Sequence, residues 1–410
     1  MARIAVIGAG IIGSSITAVL QREGHAVTCF DPRGPGQAAS FGNGGSIAPG
    51  SIAGTSGPGI LGDAIRWSLA GGGPLRLHWP HLPVAAPWLR RFARAGRPDG
   101  LQGTAAALHQ LHRSALTDYA QLLGPGRADL LRTSGQLYVY DSDKAYEKDA
   151  PGRALRRDHG VRMTELTADE ALEMEPSLRP GLARALHLPD FGQTPNPGAL
   201  VRAIAEDAVR DGARLVTTCI HKLLPVPGGR GMGLLSDHGE EVFDTVVVAA
   251  GIWSNRLLKP LGAAVPLESL RGYHATLELP RMPGQPIYPI AEKIMATPME
   301  DGLRVVGVVE VAGIRKPPEF SNIDRLTGAA RRIFRDVGEA RSVWMGHRPA
   351  TPDSVPVICR APGHPDLVLA LGHGQTGMCG APGTANLVSD LLAGRQGRIE
   401  PHHFDIARFR

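Results

Sequence analysis

Arg3-Ile4-Ala5-Val6-Ile7-Gly8-Ala9-Gly10-Ile11-Ile12-Gly13 is the stretch on which the fold turns. Five residues with the character of a buried strand run directly into glycines spaced GxGxxG. Apolar Ile12, Ile16, Val19 and Leu20 then recur at helical spacing as far as Gly24, which suits a C-terminal cap. His25 to Phe30 reads as a second strand, ending at Asp31. Each part has a physical task. Gly8 permits the tight turn, Gly10 lets a pyrophosphate approach the backbone, and Gly13 lets the helix pack closely on the strand. The free N–H groups at the helix start, Ile11 and Ile12, favour phosphate charge. Asp31, followed by Pro32, accepts from an adenosine ribose and argues against a 2′-phosphate there. Strand, glycine turn, helix and acidic strand end together predict an adenine dinucleotide site.

Later segments decide which dinucleotide. Ala38-Ala39-Ser40-Phe41-Gly42-Asn43-Gly44-Gly45-Ser46 supplies small residues, with Ser40, Asn43, Gly44 and Gly45 as candidate contacts to a bulky ligand. Gly212 to Val216 begins a strand that Ile220 would continue. Val242 to Ala250 is a buried strand ending in Ala249-Ala250-Gly251-Ile252-Trp253-Ser254, where Ala250, Gly251 and Trp253 join the candidates. Leu367 to Leu371 runs into Gly372-His373-Gly374-Gln375-Thr376-Gly377-Met378 and a helical run through Leu387 and Leu391. A nicotinamide dehydrogenase has no need for its far C-terminus to return to the nucleotide. Convergence of three distant glycine turns points to a flavin instead.

Composition narrows the class further. With 410 residues, 43% of them hydrophobic and 20% charged, the chain can bury a large core and is expected to form two lobes without a long disordered tract. The net charge is +5, but the basic residues are scattered. Arg90, Arg91, Arg94 and Arg97 form the sharpest group and read as a solvated helix face, so no nucleic-acid partner is expected. Cys29, Cys219, Cys359 and Cys379 are far apart with no CxxC pair, which fits a reduced protein and gives no metal-ligand spacing. His402-His403 reads as surface. The N-terminus lacks a signal-peptide apolar region, and no window holds eighteen uninterrupted apolar residues, so a cytoplasmic location is expected.

Over nearly its full length the chain resembles the D-amino-acid oxidase family of flavoproteins, most closely its bacterial D-amino-acid dehydrogenase branch. The carriers are Gly8 to Gly13 with Asp31, Ser40 to Gly45, Asp190 to Leu200, Ala249 to Ser254, Arg271-Gly272-Tyr273, Gly346-His347-Arg348-Pro349-Ala350-Thr351-Pro352-Asp353 and Gly372-His373-Gly374. The resemblance implies FAD as cofactor and an α/β fold. A discontinuous Rossmann-like FAD-binding domain would comprise 1–49, 196–265 and 344–410. An α+β substrate domain around an antiparallel sheet would comprise 50–195 and 266–343. It further implies oxidation of an amino acid to an imino acid, which water hydrolyses to a 2-oxo acid and ammonia. A cyclic or secondary amine such as hydroxy-D-proline, sarcosine or glycine is the alternative substrate.

Such chemistry asks the protein mainly for geometry: a carboxylate anchor, a neutral amine and a dry pocket. Arg348 is the candidate anchor, also bordering the cofactor. A guanidinium holds a carboxylate through two parallel bonds, and glycine-oxidising relatives carry an arginine at the matching position. Its competing role is an ion pair with Asp353. Tyr273 is a candidate donor to the same carboxylate, Arg271 a second cation, and His373 a residue that tunes the flavin or shuttles a proton. By resemblance, the amides of Gly374, Gln375, Thr376, Gly377 and Met378 stabilise charge on the reduced flavin. A quinone or other carrier is the expected electron acceptor. Ile60 to Phe92 mixes Leu61, Ile65, Trp67, Leu69, Trp79, Trp88 and Phe92 with Arg66, Arg76, Arg90 and Arg91. That mixture suits contact with an anionic membrane surface, while its prolines forbid one long amphipathic helix.

Overall fold

A computed structural model describes residues 1–57, 60–69 and 73–410, without the side chains of 61, 68 and 69; Leu61 and Leu69 therefore lie outside the described residues as side chains. The short apolar runs assemble into a six-stranded sheet. Its order is Val357–Ala361, His364–Leu371, Thr245–Val248, Arg3–Ile7, Ala26–Phe30, Arg214–Val216. All neighbours are parallel except the edge pair Val357–Ala361 and His364–Leu371. A parallel sheet covered on both sides needs strands that are apolar throughout. Ile4 and Val6 accordingly face helices Ile11–Arg22, Pro197–Arg210 and Gly377–Ala393. Ala5 and Ile7 enter a second core beneath the antiparallel meander Ile220–Pro225, Met232–Ser236, Gly239–Phe243.

One expected element divides. The strand starting near Gly212 does not continue through Ile220. Arg214–Val216 closes the six-stranded sheet, and Ile220 opens the meander. Between them the Asp237 carboxylate accepts from the Cys219 amide at 3.2 Å and the Thr218 hydroxyl at 3.2 Å, fixing the turn from one sheet to the other. Pro98–His112 and Ala115–Leu122 are successive helices that deliver Leu111, Ala115, Tyr119 and Leu122 to the same core as Ile4 and Val6.

The second sheet has nine strands, ordered Ala340–Ala350, Glu268–Leu277, Gly302–Val311, Met295–Met299, Ile287–Pro289, Gln136–Tyr140, Arg184–Leu188, Thr164–Thr167, with Leu75–Leu77 beside Gly302–Val311. It is antiparallel apart from Ile287–Pro289 on Gln136–Tyr140 and Leu75–Leu77 on Gly302–Val311. Its first strand continues past the 343/344 boundary expected between domains, so Arg348 stands on this sheet. Directly paired residues share a face. Register therefore lines up Arg348, Leu270, Val311 and Leu77 in one cross-strand row, and Gly346, Gly272, Val309 and Leu75 in the next. Trp344, His274, Val306 and Met295 form a third. This face is the floor of the cavity. The opposite face packs the core that contains Tyr273, Val305, Val308 and the helix Asn322–Ile333.

Candidate active site

A cavity of about 1010 Å³ is walled by the C-terminal ends of the parallel strands on one side and by the nine-stranded floor on the other. This is at the top of the ~300–1,000 Å³ range of small-molecule sites. Gly8, Gly10, Ile11, Ile12, Asp31, Pro32, Ser40, Asn43, Gly44, Ile220, Ala250, Gly251, Trp253, Arg348, His373 and Gly374 to Met378 all line it. Gly13, Gly45 and Tyr273 do not.

At the nucleotide end, Gly8 has φ +106°, and a Cβ there would lie 2.6 Å from the Ala249 carbonyl oxygen. A Cβ on Gly13 would overlap the Gly8 carbonyl, so Gly13 closes the helix onto the strand without meeting ligand. Gly10 differs. The nearest atom to a Cβ there is Ser40 Oγ at 3.4 Å, so no protein contact demands glycine and the space in front is cavity. The Ile11 amide donates to Ser40 Oγ at 3.0 Å. Asp31 accepts from the amides of Ala9 at 3.0 Å and Arg33 at 2.8 Å, which uses one lone pair on each oxygen and leaves others for hydroxyls. Arg33 lies 5.1 Å over the ring of Trp253. A glycine cradle at a helix start with a fixed carboxylate beyond it fits the phosphates and ribose of FAD.

The two remaining glycine segments meet nearby. Asn43 Oδ1 accepts from the Gly45 amide at 2.8 Å, and Arg304 donates to the carbonyls of Phe41 and Asn43 at 3.3 and 3.2 Å. Gly45, with φ +70°, thus shapes this loop from behind. The Gly374 amide donates to the Pro349 carbonyl at 2.8 Å, and Ala350 bridges to His373, tying the last glycine turn to the strand that carries Arg348. Helix Gly377–Ala393 starts at the cavity with no side-chain cap. Its first-turn amides and dipole are the unsatisfied groups that a carbonyl or anion of a ligand would complete.

Arg348 lies across the backbone of Gly272, where any Cβ would overlap the guanidinium. Among the described residues its hydrogen bond is a long donation to the Val308 carbonyl at 3.4 Å. Among the described residues no carboxylate pairs with it: Asp353, the expected rival, is held by Arg408 at 2.7 Å. Desolvation pulls the Arg348 pKa down to about 10, so at neutral pH the cavity contains a cation whose charge is uncompensated.

Tyr273 must be corrected. Gly272 faces the cavity, and strand alternation turns Arg271 and Tyr273 to the other side. There the Tyr273 hydroxyl donates to Glu310 at 2.8 Å and accepts from the Glu319 amide at 3.1 Å, while Arg271 is fully buried 3.3 Å from Glu310. Arg271 is thus neither a second cation in the site nor a surface group. His373 lines the cavity, but burial lowers its pKa to about 3, and its Nε2 sits 2.8 Å from Thr384 Oγ1. It is a neutral hydrogen-bonding residue at neutral pH. Glu400, His402 and His403 bring ligand atoms within 4.8 Å of one another on the C-terminal segment, apart from this cavity.

Several lining residues escaped the sequence reading. Trp344 stands over Gly42 and Gly346 and stacks on His274 at 5.4 Å. Its alternation with Gly346 and Arg348 along one strand was an available signal. Tyr138, Tyr288, Arg156 and Lys293 gave none, because they meet only through the sheet order and an overlying helix.

Burial also makes the fold sensitive to acid. His112 and His274 are pushed down to about 4, and His373 to about 3, all by desolvation first. The unfolded chain protonates them near 6.5, so their contribution is complete above that pH and is lost as pH falls toward 4. Each can cost up to about 1.4 kcal/mol per pH unit in that window. Thermal unfolding from pH 7 to pH 4 should show a falling Tm, with a shallower slope in His112→Gln. Equal slopes would assign the acid sensitivity elsewhere.

Comparison with known proteins agrees with this geometry. The chain is 35% identical over 416 residues to a D-amino-acid oxidase of Bradyrhizobium diazoefficiens, covering 99% of this chain and 98% of that one. It is 32% identical over 421 residues to a D-amino acid dehydrogenase of Cereibacter sphaeroides, covering 99% and 95%. Glycine oxidase from Geobacillus kaustophilus superimposes with a TM-score of 0.73 at 23% identity, over 100% of this chain and 99% of that one, which shows a shared fold. The model of the DAO family, FAD dependent oxidoreductase, matches residues 3–391. The chain therefore belongs to the DAO family of FAD-dependent oxidoreductases.

Proposed function

We propose that this enzyme oxidises a D-amino acid at the bond between Cα and the amine nitrogen. The observation that carries the reading is Arg348, a guanidinium without a carboxylate partner among the described residues, facing the cavity beside the last glycine turn. FAD, when bound, supplies the hydride acceptor at N5. In this reading 1–49, 196–265 and 351–410 form the cofactor lobe, and 50–195 with 266–350 complete the substrate lobe, the strand Ala340–Ala350 carrying the substrate sheet past the expected boundary at 343/344. Gly8, Gly10, Ile11, Ile12, Ser40 and Asp31 hold the phosphates and ribose. Asn43, Gly44 and the amides of Gly374 to Met378 hold the flavin.

Arg348 grips the substrate carboxylate in a two-bond fork and so fixes the direction of the Cα–H bond. Leu75, Val306 and Val309 exclude water over the same floor. The amine binds neutral, and no lining carboxylate of this half retains its ammonium form. Loss of hydride from Cα and a proton from nitrogen leaves an imino acid. Water converts it to a 2-oxo acid and ammonia. An anaerobic screen of D-amino acids, L-amino acids, imino acids and N-methyl amines, read as bleaching of the flavin band, tests this without assuming an acceptor. Fastest bleaching by a D-amino acid is expected. Bleaching confined to sarcosine, glycine or cyclic imino acids would replace the substrate class.

For the acceptor we infer a membrane quinone. No helix among the described residues is long and apolar enough to cross a membrane. Trp88 and Phe92 stack inside the lobe and Trp67 lines the cavity, but Ile65, Trp79 and Val84 are exposed in the same stretch of chain as exposed Arg66, Arg90 and Arg91. Apolar tips among guanidinium groups suit an anionic lipid surface. The enzyme is expected to co-sediment with anionic liposomes and to reduce a quinone analogue faster than it releases hydrogen peroxide. Protein left in the supernatant with most electrons recovered as peroxide would make it a soluble oxidase.

A further inference from the structure

Far across the floor from Arg348, the cavity has a second polar end. Tyr138 and Tyr288 stand side by side on paired strands with rings 5.0 Å apart, and neither hydroxyl has a hydrogen-bond partner among the described residues. Arg156, from the helix Ala150–Asp158, lies 5.0 Å over the Tyr138 ring. Its side chain is 11% exposed, its nearest carboxylate is Asp149 at 3.7 Å, and its Nη1 is buried without a hydrogen bond. Asp149 itself is engaged by the Tyr140 hydroxyl at 2.8 Å. Lys293 completes the group. Its ammonium rests 5.0 Å over the Trp67 ring, with Asp63 acting on it electrostatically but no ion pair among the described residues. Its backbone is left-handed, with φ +53°, a conformation that costs energy in a non-glycine residue and that persists where the surroundings impose it.

Charge across the cavity is lopsided. Among the described residues Asp31 is the one lining carboxylate and belongs to the nucleotide end, whereas Arg348, Arg156 and Lys293 line the floor half. A neutral aliphatic substrate would leave Lys293 without an ion pair among the described residues, Arg156 with a 3.7 Å ion pair from Nη1 to an Asp149 already shared with Tyr140 and no hydrogen bond at that nitrogen, and two phenol hydroxyls without partners, which is costly in a pocket that excludes water. A second anion would complete them all. Span sets its position. Gly272, under Arg348, and Tyr288 lie on strands three spacings apart, roughly 14 Å at ~4.8 Å per strand. Allowing about 4 Å for the charged contact at each end leaves roughly 6 Å between two carboxyl carbons, the reach of a dicarboxylic chain of about five to seven carbons.

We propose that Arg156, Lys293, Tyr138 and Tyr288 form a specificity site for the distal carboxylate of a 2-amino dicarboxylic acid of glutamate length or one to two carbons longer. The proposal rests on the amino-acid reading above and narrows it to acidic substrates. The holoenzyme is titrated with adipate and hexanoate, neither of which can be oxidised, following perturbation of the flavin spectrum. Adipate is expected to bind at least tenfold more tightly, with the advantage lost in Arg156→Leu and in Lys293→Met and partly kept in Arg156→Lys. In anaerobic reduction, kcat/KM is expected to favour D-glutamate over D-glutamine, and D-2-aminoadipate over D-norleucine, by tenfold or more. Both ratios should collapse toward one in the two variants, mainly through a higher KM for the acids. Because each readout is a ratio within one protein, a variant that merely loosens the fold leaves it in place. Equal adipate and hexanoate affinity, or neutral D-amino acids reducing the flavin as fast as acidic ones, overturns the acidic site while the amino-acid reading stands. Failure of every amino acid to bleach the flavin overturns both.

Discussion

Arg348→Ala is expected to keep its FAD and lose hydride transfer by about 10²-fold or more, since an unanchored carboxylate no longer holds Cα in line with its acceptor. The cofactor should remain because the phosphate cradle, Asp31 and the last glycine turn lie on other elements. Stability should not fall. The guanidinium has no carboxylate partner among the described residues and one long hydrogen bond, so its removal relieves a desolvated charge and leaves no buried group stranded. Arg348→Lys should recover only part of the rate, because an ammonium replaces a two-bond fork by a point charge. Gly272→Ala should imitate the loss in milder form, as its Cβ would displace the guanidinium. Single-turnover bleaching quantifies all three. Wild-type rates in Arg348→Ala would exclude it as the anchor.

Gly10→Val is expected to give a folded protein with no flavin, whereas Gly13→Val should lose flavin and stability together. The two glycines look equivalent in the sequence. In the structure, only a side chain on Gly13 collides with backbone, that of Gly8, while one on Gly10 projects into cavity. Overpacking at Gly13 should cost about 1–3 kcal/mol. Gly10→Val should fill the space that the phosphates need and little else. Flavin content by absorbance and Tm of both apoproteins separate the cases. Stoichiometric flavin in Gly10→Val would move the pyrophosphate elsewhere.

The parallel sheet and the nucleotide end were legible because they rest on local rules. A buried strand announces itself as a continuous apolar run, and a phosphate turn needs glycine at fixed offsets from a helix start. The order Arg3–Ile7, Gly8 to Gly13, Ile11–Arg22, Ala26–Phe30, Asp31 is contiguous in the chain, so one reading captured it. Ser40 was also within reach of that reading, though its bond to the Ile11 amide was not.

The floor of the cavity was less legible, since it is made by register. Placing Tyr273 in the site ignored which face of Glu268–Leu277 carries Gly272, and a single residue of alternation sends it to Glu310 instead. Whether Arg348 paired with Asp353 depended on Arg408, contributed by the far C-terminal segment. By itself the sequence determined the dinucleotide fold, because that follows from residue types at short, fixed spacings, while the flavin and a candidate arginine for a carboxylate came from the resemblance of distant segments to the family. Only the tertiary structure decided that Arg348 stands uncompensated at one end of the cavity and Arg156, Lys293, Tyr138 and Tyr288 at the other. Those partners come from separate strands, a turn and a helix, and only the sheet order brings them face to face.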